Sequence, residues 1–76
     1  MQVCIKREAL GLVISQGRKN KNLTQQQLSN LTGLSRSYIA DIEKGRYMPS
    51  VTTLVVLATY LQLDLNFLTK MTEIQV

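Results

Sequence analysis

The side chains of this 76-residue chain that could do chemistry are mainly cationic, and they cluster in one part of the sequence. Residues 18–46 contain six Lys and Arg against two acidic side chains, whereas the remainder contains three of each. All of the formal net charge of +4 therefore belongs to this segment. A solvated charged surface is one interpretation. The concentration of charge in so short a segment favours instead a patch that faces phosphate groups.

The same inventory argues against catalysis. The chain has no His, which excludes a nucleophile activated by an imidazole, and the single Cys4 cannot build a metal site by itself. Asp41 and Glu43 stand two positions apart in a predicted helix and point to different faces, so they do not form a general acid and base pair. The sequence contains no Gly-rich phosphate loop and no metal-ligand cluster. We therefore expect no enzyme activity, no cofactor and no metal.

The elements that would position the cationic side chains are two short helices joined by a tight turn, predicted over 24–45. Thr24 is a good N-cap, and Gln27 three residues later can complete a capping box. The second helix is predicted over 36–44. The residues that start and end the two helices follow one another at the expected spacing: Thr24, Gly33, Ser35 and Gly45. This arrangement is typical of a helix-turn-helix.

The second helix of such a motif lies in the major groove of DNA, with its N-terminal residues nearest the bases. Arg36 can donate two hydrogen bonds to guanine, and Asp41, about one turn further along, can accept one from a cytosine amino group. Ser37 is short and adaptable, whereas Tyr38 could equally contact the DNA backbone or pack partly in the core. The candidate base-reading residues are Arg36, Ser37, Tyr38 and Asp41.

Phosphate groups could be held on both sides of the second helix. The N-terminus of the first helix offers backbone N–H groups and the positive end of the helix dipole. Cationic and hydroxyl-bearing side chains follow the second helix. The candidate phosphate-contacting residues are Thr24, Gln25, Ser35, Lys44, Arg46 and Tyr47.

The chain resembles the DNA-binding domain of the Cro and lambda-repressor-like regulators, often called the xenobiotic-response-element family. The resemblance lies in LTQQQLSNLTGLSRSYIADIEKG and its continuation RYMPSVTTLVVLATYLQLDLNFL. It implies that Gln25 contacts a phosphate and helps to position the second helix of the motif, the recognition helix. It also implies a structural ion pair between Arg18, late in a helix that precedes the helix-turn-helix, and Glu43, late in the second helix of the motif. This pair would fix the angle between those two helices.

Hydrophobic periodicity predicts further helices on either side of this motif. A first helix is expected over about 6–21, and another begins after the N-cap Ser50. A short helix is expected over about 65–71. The inward stripe of the helix after Ser50 is predicted to be Val51, Leu54, Leu57, Ala58 and Leu61.

The expected fold class is therefore all-α, a compact bundle of about five helices with a helix-turn-helix, as in the lambda-repressor-like domain. The chain is interpreted as a single DNA-binding domain over 1–76, with a core of about 6–71. The termini, 1–5 and 72–76, carry no decisive pattern. Gly17 differs from the large apolar residue usual in the family and would mark a close approach. Gln62 occupies a helix exit where the family commonly has Gly or Asn, so a slightly strained exit is expected there.

The helix after Ser50 has no charged residue, and this is unusual for a surface helix. Scattered exposed apolar side chains are common and need no function. An uncharged face continued by the next helix favours instead contact with a second copy of the chain across a two-fold axis. The candidate dimer-interface residues are Val56, Tyr60 and Phe67.

The function expected is sequence-specific binding of double-stranded DNA by a homodimer on a pseudo-palindromic operator, which regulates transcription. The alternative is a protein-interaction module or an antitoxin-type partner-binding protein with the same fold. Control would come from protein concentration or from a separate regulatory protein. The unpaired Cys4 and the absence of a signal peptide or membrane span favour a cytoplasmic location. The operator, the regulated gene and the sign of regulation stay open.

Overall fold

The computed structural model of the chain describes residues 2–63 and 72–75. The elements in chain order are β1 (Gln2–Ile5), α1 (Arg7–Asn20), α2 (Gln25–Thr32), α3 (Arg36–Glu43), α4 (Val51–Leu61) and β2 (Thr72–Gln75). The expected all-α class is confirmed by the four helices of the described residues, to which a short pair of strands is added. The fifth helix expected over about 65–71 lies outside the described residues.

Three of the described helices, α2, α3 and α4, begin where local side-chain chemistry predicts. Thr24 accepts a hydrogen bond from the backbone N–H of Gln27, whose side chain accepts one from the backbone N–H of Thr24. This reciprocal capping box satisfies two N–H groups that would otherwise lack a partner at the start of α2. Ser35 caps α3 and Ser50 caps α4 in the simpler way, through one side-chain oxygen each.

The core lies where the inner sides of all four helices meet. Its fully buried members come from each helix: Leu10, Ile14, Leu28, Ile39, Ile42 and Leu57. Leu54, Ala58 and Leu61 complete the inward stripe of α4, as expected. The prediction that Val51 belongs to that stripe is wrong: its side chain is 78% exposed. As the first residue of α4, it stands at the edge of the stripe, where the neighbouring helices do not cover it.

Two glycines of α1 mark the places where other parts of the chain come closest to it. A Cβ added at Gly11 would lie 2.5 Å from the carbonyl oxygen of Ile42 and 2.6 Å from that of Glu43. The last turn of α3 therefore packs directly against the backbone of α1. A Cβ at Gly17 would lie 2.9 Å from Cδ2 of Leu63, just beyond α4. The close approach expected at Gly17 is present, but no sequence signal pointed to Gly11.

The end of α4 and the two chain termini complete the fold. Gln62 adopts the left-handed conformation with φ of 56°, which agrees with the strained exit expected there. β1 and β2 pair antiparallel, with Val3 opposite Ile74. Neither terminus carries a local pattern that predicts this pairing, because each strand has only four residues and its partner is at the other end of the chain.

Candidate DNA interface

The turn between α2 and α3 is fixed by side-chain hydrogen bonds in addition to the left-handed Gly33, whose φ is 77°. The Ser29 hydroxyl donates to the carbonyl oxygen of Leu34. The Thr32 hydroxyl donates to the carbonyl oxygen of Leu28 at 2.8 Å and accepts from the N–H of Leu34 at 3.2 Å. With these bonds formed, the start of α3 has a defined direction relative to α2. We call α2, this turn and α3 the α2–α3 corner.

The structure brings Arg18 and Glu43 together. Nε of Arg18 donates to Oε2 of Glu43 at 2.8 Å, and Nη2 donates to Oε1 at 3.1 Å. The two side chains are only 12% and 7% exposed. Arg18 also donates through Nη1 to the carbonyl oxygen of Leu23 at 2.8 Å. A planar guanidinium that makes two parallel bonds to one carboxylate fixes orientation as well as distance. The end of α1 is thereby joined both to the segment before α2 and to the end of α3.

Gln25 belongs to the same network; the resemblance implied a positioning role for it but did not identify its partner. Its Nε2 donates to Oε1 of Glu43 at 3.1 Å, so the expected phosphate-contacting amide is held by the last residue of α3. Glu43 therefore accepts hydrogen bonds from α1 and from the first residue of α2 at once. One buried carboxylate sets the position of both helices relative to the recognition helix. A glutamine at the start of α2 indicates a polar contact there, but local spacing in the sequence does not identify its partner.

The N-terminal turn of α3 presents polar side chains to solvent. Arg36 and Ser37 are exposed, and Asp41 is partly exposed one turn later. Tyr38 is half-buried, packs against the core, and lies with its ring centroid 6.4 Å from that of Tyr47. Of the four candidate base-reading residues, the first two are therefore the most accessible, whereas Tyr38 also has a packing role.

The hydroxyl oxygens of Thr24 and Ser35 each accept the N–H of a residue three positions later. Both candidate phosphate contacts are therefore already helix caps. Lys44 and Tyr47 are exposed beyond the end of α3. Arg46 is exposed as well, but its Nη1 lies 3.2 Å from Oδ1 of Asp41, so these two predicted DNA contacts form an ion pair with each other.

A second surface, the α4 outer face, is formed by the exposed residues Val51, Thr52, Val55, Thr59 and Tyr60. Tyr60, a candidate dimer-interface residue, is 45% exposed. Val56 is half-buried, so it contributes less to this face than was expected. Phe67 lies outside the described residues. Val51 had been expected on the inward stripe and Val55 was not singled out, but both are exposed on this face.

None of the helices in the part of the chain that the structure describes is both long and apolar enough to cross a membrane.

Comparison with known proteins agrees with this geometry. The helix-turn-helix family matches residues 14–68. The chain is similar to the ImmF control region 10 kDa protein of Bacillus phage phi105, with 52% identity over 67 residues, which cover 88% of this chain and 73% of that protein.

Among solved structures, the chain is similar to the restriction-modification controller protein C.AhdI from Aeromonas hydrophila. Identity is 32% and the TM-score is 0.75, over 82% of this chain and 94% of that one. The controller protein C.Esp1396I, solved as a tetramer in complex with its natural 35-base-pair operator, shares the fold with a TM-score of 0.75 at 24% identity, over 90% of each chain. The capped α2–α3 corner, the family match and these likenesses lead to one conclusion: the chain belongs to the helix-turn-helix family of DNA-binding transcriptional regulators.

Proposed function

We propose that the chain binds a pseudo-palindromic operator as a homodimer and so regulates transcription. Each subunit would place α3 in the major groove over one half-site. Arg36 and Ser37, exposed at the start of that helix, are the first candidates to reach base edges, with Asp41 one turn further on.

The observation that carries this proposal is the ion pair at the end of α3. Reading base edges requires a helix held at a defined depth and angle, since a hydrogen bond weakens steeply when its geometry is displaced. Glu43 accepts from Arg18 and Gln25, and this fixes α3 against α1 and α2. The opposite end of α3, which carries Arg36, is left accessible. A helix fixed at one end and exposed at the other is suited to entering a groove.

Phosphate contacts would position this helix without reading sequence. Gln25 is the first residue of the eight-residue α2, whose N-terminal backbone N–H groups and dipole would support a phosphate there. Lys44 and Tyr47, exposed beyond α3, would contact the strand on the other side of the groove.

The α4 outer face supports the homodimer. Residues 47–63 contain no charged side chain, so association here buries no unpaired charge. The Thr59 hydroxyl donates to the carbonyl oxygen of Val55 at 2.7 Å, so one hydroxyl group of this face is bonded to its own helix. A two-fold axis through this face would pair it with itself. Binding of both half-sites then requires the two α3 helices to lie about 34 Å apart, one turn of DNA.

The relatives support a role in controlling genes. C.Esp1396I binds its operator as a tetramer, and the phage phi105 relative belongs to a control region. For this chain we propose operator binding of the same general kind, with the dimer as the smallest DNA-binding unit.

Selection of tight-binding duplexes from a random DNA library, followed by hydroxyl-radical footprinting, would test the proposal. We expect the selected sequences to contain two related half-sites with inverted orientation, and two protected regions one turn apart. We also expect affinity for any duplex to fall with rising salt, because phosphate contacts release counterions. No binding at low salt would contradict the proposal and favour the protein-interaction alternative. A single half-site would contradict the homodimer.

A further inference from the structure

Asp41 and Arg46 are both candidate DNA contacts, yet they form an ion pair with each other and carry opposite charges. A guanidinium is attracted to phosphate groups, whereas a carboxylate is repelled by them. Their side chains lie 3.2 Å apart and are 65% (Arg46) and 27% (Asp41) exposed. This pair is therefore far more open to solvent than the one between Arg18 and Glu43, and its partners can separate with little penalty.

The backbone keeps Arg46 close to Asp41 whether or not the side chains are paired. The N–H of Arg46 donates to the carbonyl oxygen of Asp41 at 2.9 Å, and the N–H of Gly45 donates to that of Ile42 at 3.0 Å. Gly45 makes this turn with φ of 77°, and a Cβ there would meet Cα of Glu8 at 3.1 Å. Since the backbone of Arg46 is fixed by this helix end, only its side chain can change partner.

We propose that Asp41 makes the phosphate contact of Arg46 conditional on the DNA sequence. This inference rests on the proposed function. In the free protein, and on DNA of random sequence, Arg46 stays paired with Asp41. On the operator, a cytosine amino group donates to Asp41, and the guanidinium of Arg46 turns to a backbone phosphate.

The exchange is selective because both new bonds must form together. If Arg46 turned to a phosphate on random DNA, the Asp41 carboxylate would remain close to phosphates that repel it, without its cation and without a donor from the DNA, and this is unfavourable. Where a cytosine amino group is in reach, the carboxylate keeps a hydrogen bond while a new phosphate contact is gained. Asp41 thus lowers binding to random DNA and permits full binding at the correct base pair, so it determines specificity through Arg46 as well as directly.

Salt dependence reports this exchange, since each phosphate contact adds about 0.9 to the slope of log affinity against log salt. The variants are Asp41→Asn, Arg46→Gln and the combination of both. Each would be titrated at several salt concentrations with two duplexes of equal length: the tightest duplex selected by the wild-type chain, and a scrambled version of it. Circular dichroism and urea unfolding would verify that each variant is folded.

For the wild type, we expect a slope steeper on the selected duplex than on the scrambled one by about 0.9 per subunit. Arg46→Gln should remove that difference and leave the slope on scrambled DNA unchanged. Asp41→Asn should steepen the slope on scrambled DNA by about 0.9 per subunit, and strengthen binding there several-fold at low salt. In the Arg46→Gln background, Asp41→Asn should leave the slope on scrambled DNA unchanged.

The affinity of Asp41→Asn does not by itself test the inference, because removing any acidic group near DNA strengthens binding. Equal effects of Asp41→Asn on the scrambled-DNA slope in both backgrounds, or an Arg46→Gln effect equal on both duplexes, would overturn the inference while leaving operator binding intact. A wild-type chain that binds the two duplexes equally would overturn the proposed function itself, and the inference with it.

Discussion

The α2–α3 corner and the α4 outer face are the two surfaces to which we assign contacts, with DNA and with a second copy of the chain, and they differ in the kinds of side chain that form them. The α2–α3 corner is held by capping hydrogen bonds and by the ion pair of Arg18 and Glu43. The α4 outer face has no charge and presents valines, threonines and a tyrosine to solvent. The polar groups of the first surface fix its geometry, whereas the second combines valine side chains with uncharged hydroxyl groups.

This difference matches what each surface is proposed to bind. Base edges are recognised by hydrogen bonds that depend on direction, and so the recognition helix must be rigid. A second copy of the chain can be held by burial of apolar surface, which is non-directional. Substitutions that disturb geometry should therefore act mainly through the α2–α3 corner, and those that introduce charge should act mainly at the α4 outer face.

The largest effect is expected from Glu43→Ala. It removes the acceptor for Arg18 and Gln25 and leaves the largely buried guanidinium, only 12% exposed, without its carboxylate. Breaking a buried pair in this way should lower the free energy of unfolding by about 3–5 kcal/mol. Urea unfolding measures the loss.

A double-mutant cycle with Arg18→Met tests whether the two side chains act together. We expect the combined loss to be smaller than the sum of the single losses, because the second change removes the stranded charge. Asp41→Ala is the matched control, since its exposed pair with Arg46 should contribute about 1 kcal/mol or less. Additive losses for Arg18 and Glu43 would show that the buried pair does not fix the α2–α3 corner.

The next largest effect is expected from Gly11→Ala, which also acts on the position of α3. The added Cβ would lie 2.5 Å from a backbone carbonyl oxygen that cannot move independently of its helix. We expect a loss of about 3 kcal/mol in unfolding free energy. Gly33→Ala is the control: nothing lies within 4 Å of its Cβ, and only the left-handed backbone is strained, at about 1–2 kcal/mol. Equal losses for the two variants would contradict the close packing of α1 on α3.

At the α4 outer face, Tyr60→Glu should act on assembly and leave folding largely intact. Tyr60 is exposed in the single chain, so a carboxylate there is unfavourable only if a second copy covers it. We expect the dimer dissociation constant to rise about 100-fold, equivalent to about 2.7 kcal/mol. Analytical ultracentrifugation over a range of concentrations measures it.

Gln16→Glu introduces the same charge change on an exposed position of α1 and should leave assembly unchanged. If Tyr60→Glu and Gln16→Glu dimerise equally well, the α4 outer face is not the dimer contact. A wild-type chain that stays monomeric at high concentration would reject the homodimer altogether.

The parts of the fold that the sequence predicted are those set by neighbours in the chain. The capping box of Thr24 and Gln27 involves residues three positions apart, and the left-handed Gly33 follows directly from the end of its own helix. The same holds for the caps Ser35 and Ser50. Such features depend on local hydrogen bonds, which act at the same spacing in any protein.

The features that sequence reasoning missed depend on which distant groups meet. The role of Gly11 arises only because the end of α3 rests on it, and the exposure of Val51 depends on which other helices reach the first turn of α4. The Gln25 contact with Glu43 spans 18 positions, and the strand pairing joins the two chain ends. The contact between Asp41 and Arg46 is local, but each side chain by itself suits a DNA contact, and so the sequence did not predict their pairing.

Arg36→Ala tests most directly the claim that α3 reads bases from its exposed N-terminal turn. Affinities of wild type and variant would be measured on the selected duplex and on its scrambled version at one salt concentration. We predict a loss of about 1–3 kcal/mol on the selected duplex and little on the scrambled one, with the preference flattened at one base pair. An equal loss on both duplexes would contradict the claim, because Arg36 would then be a phosphate contact that carries no sequence information.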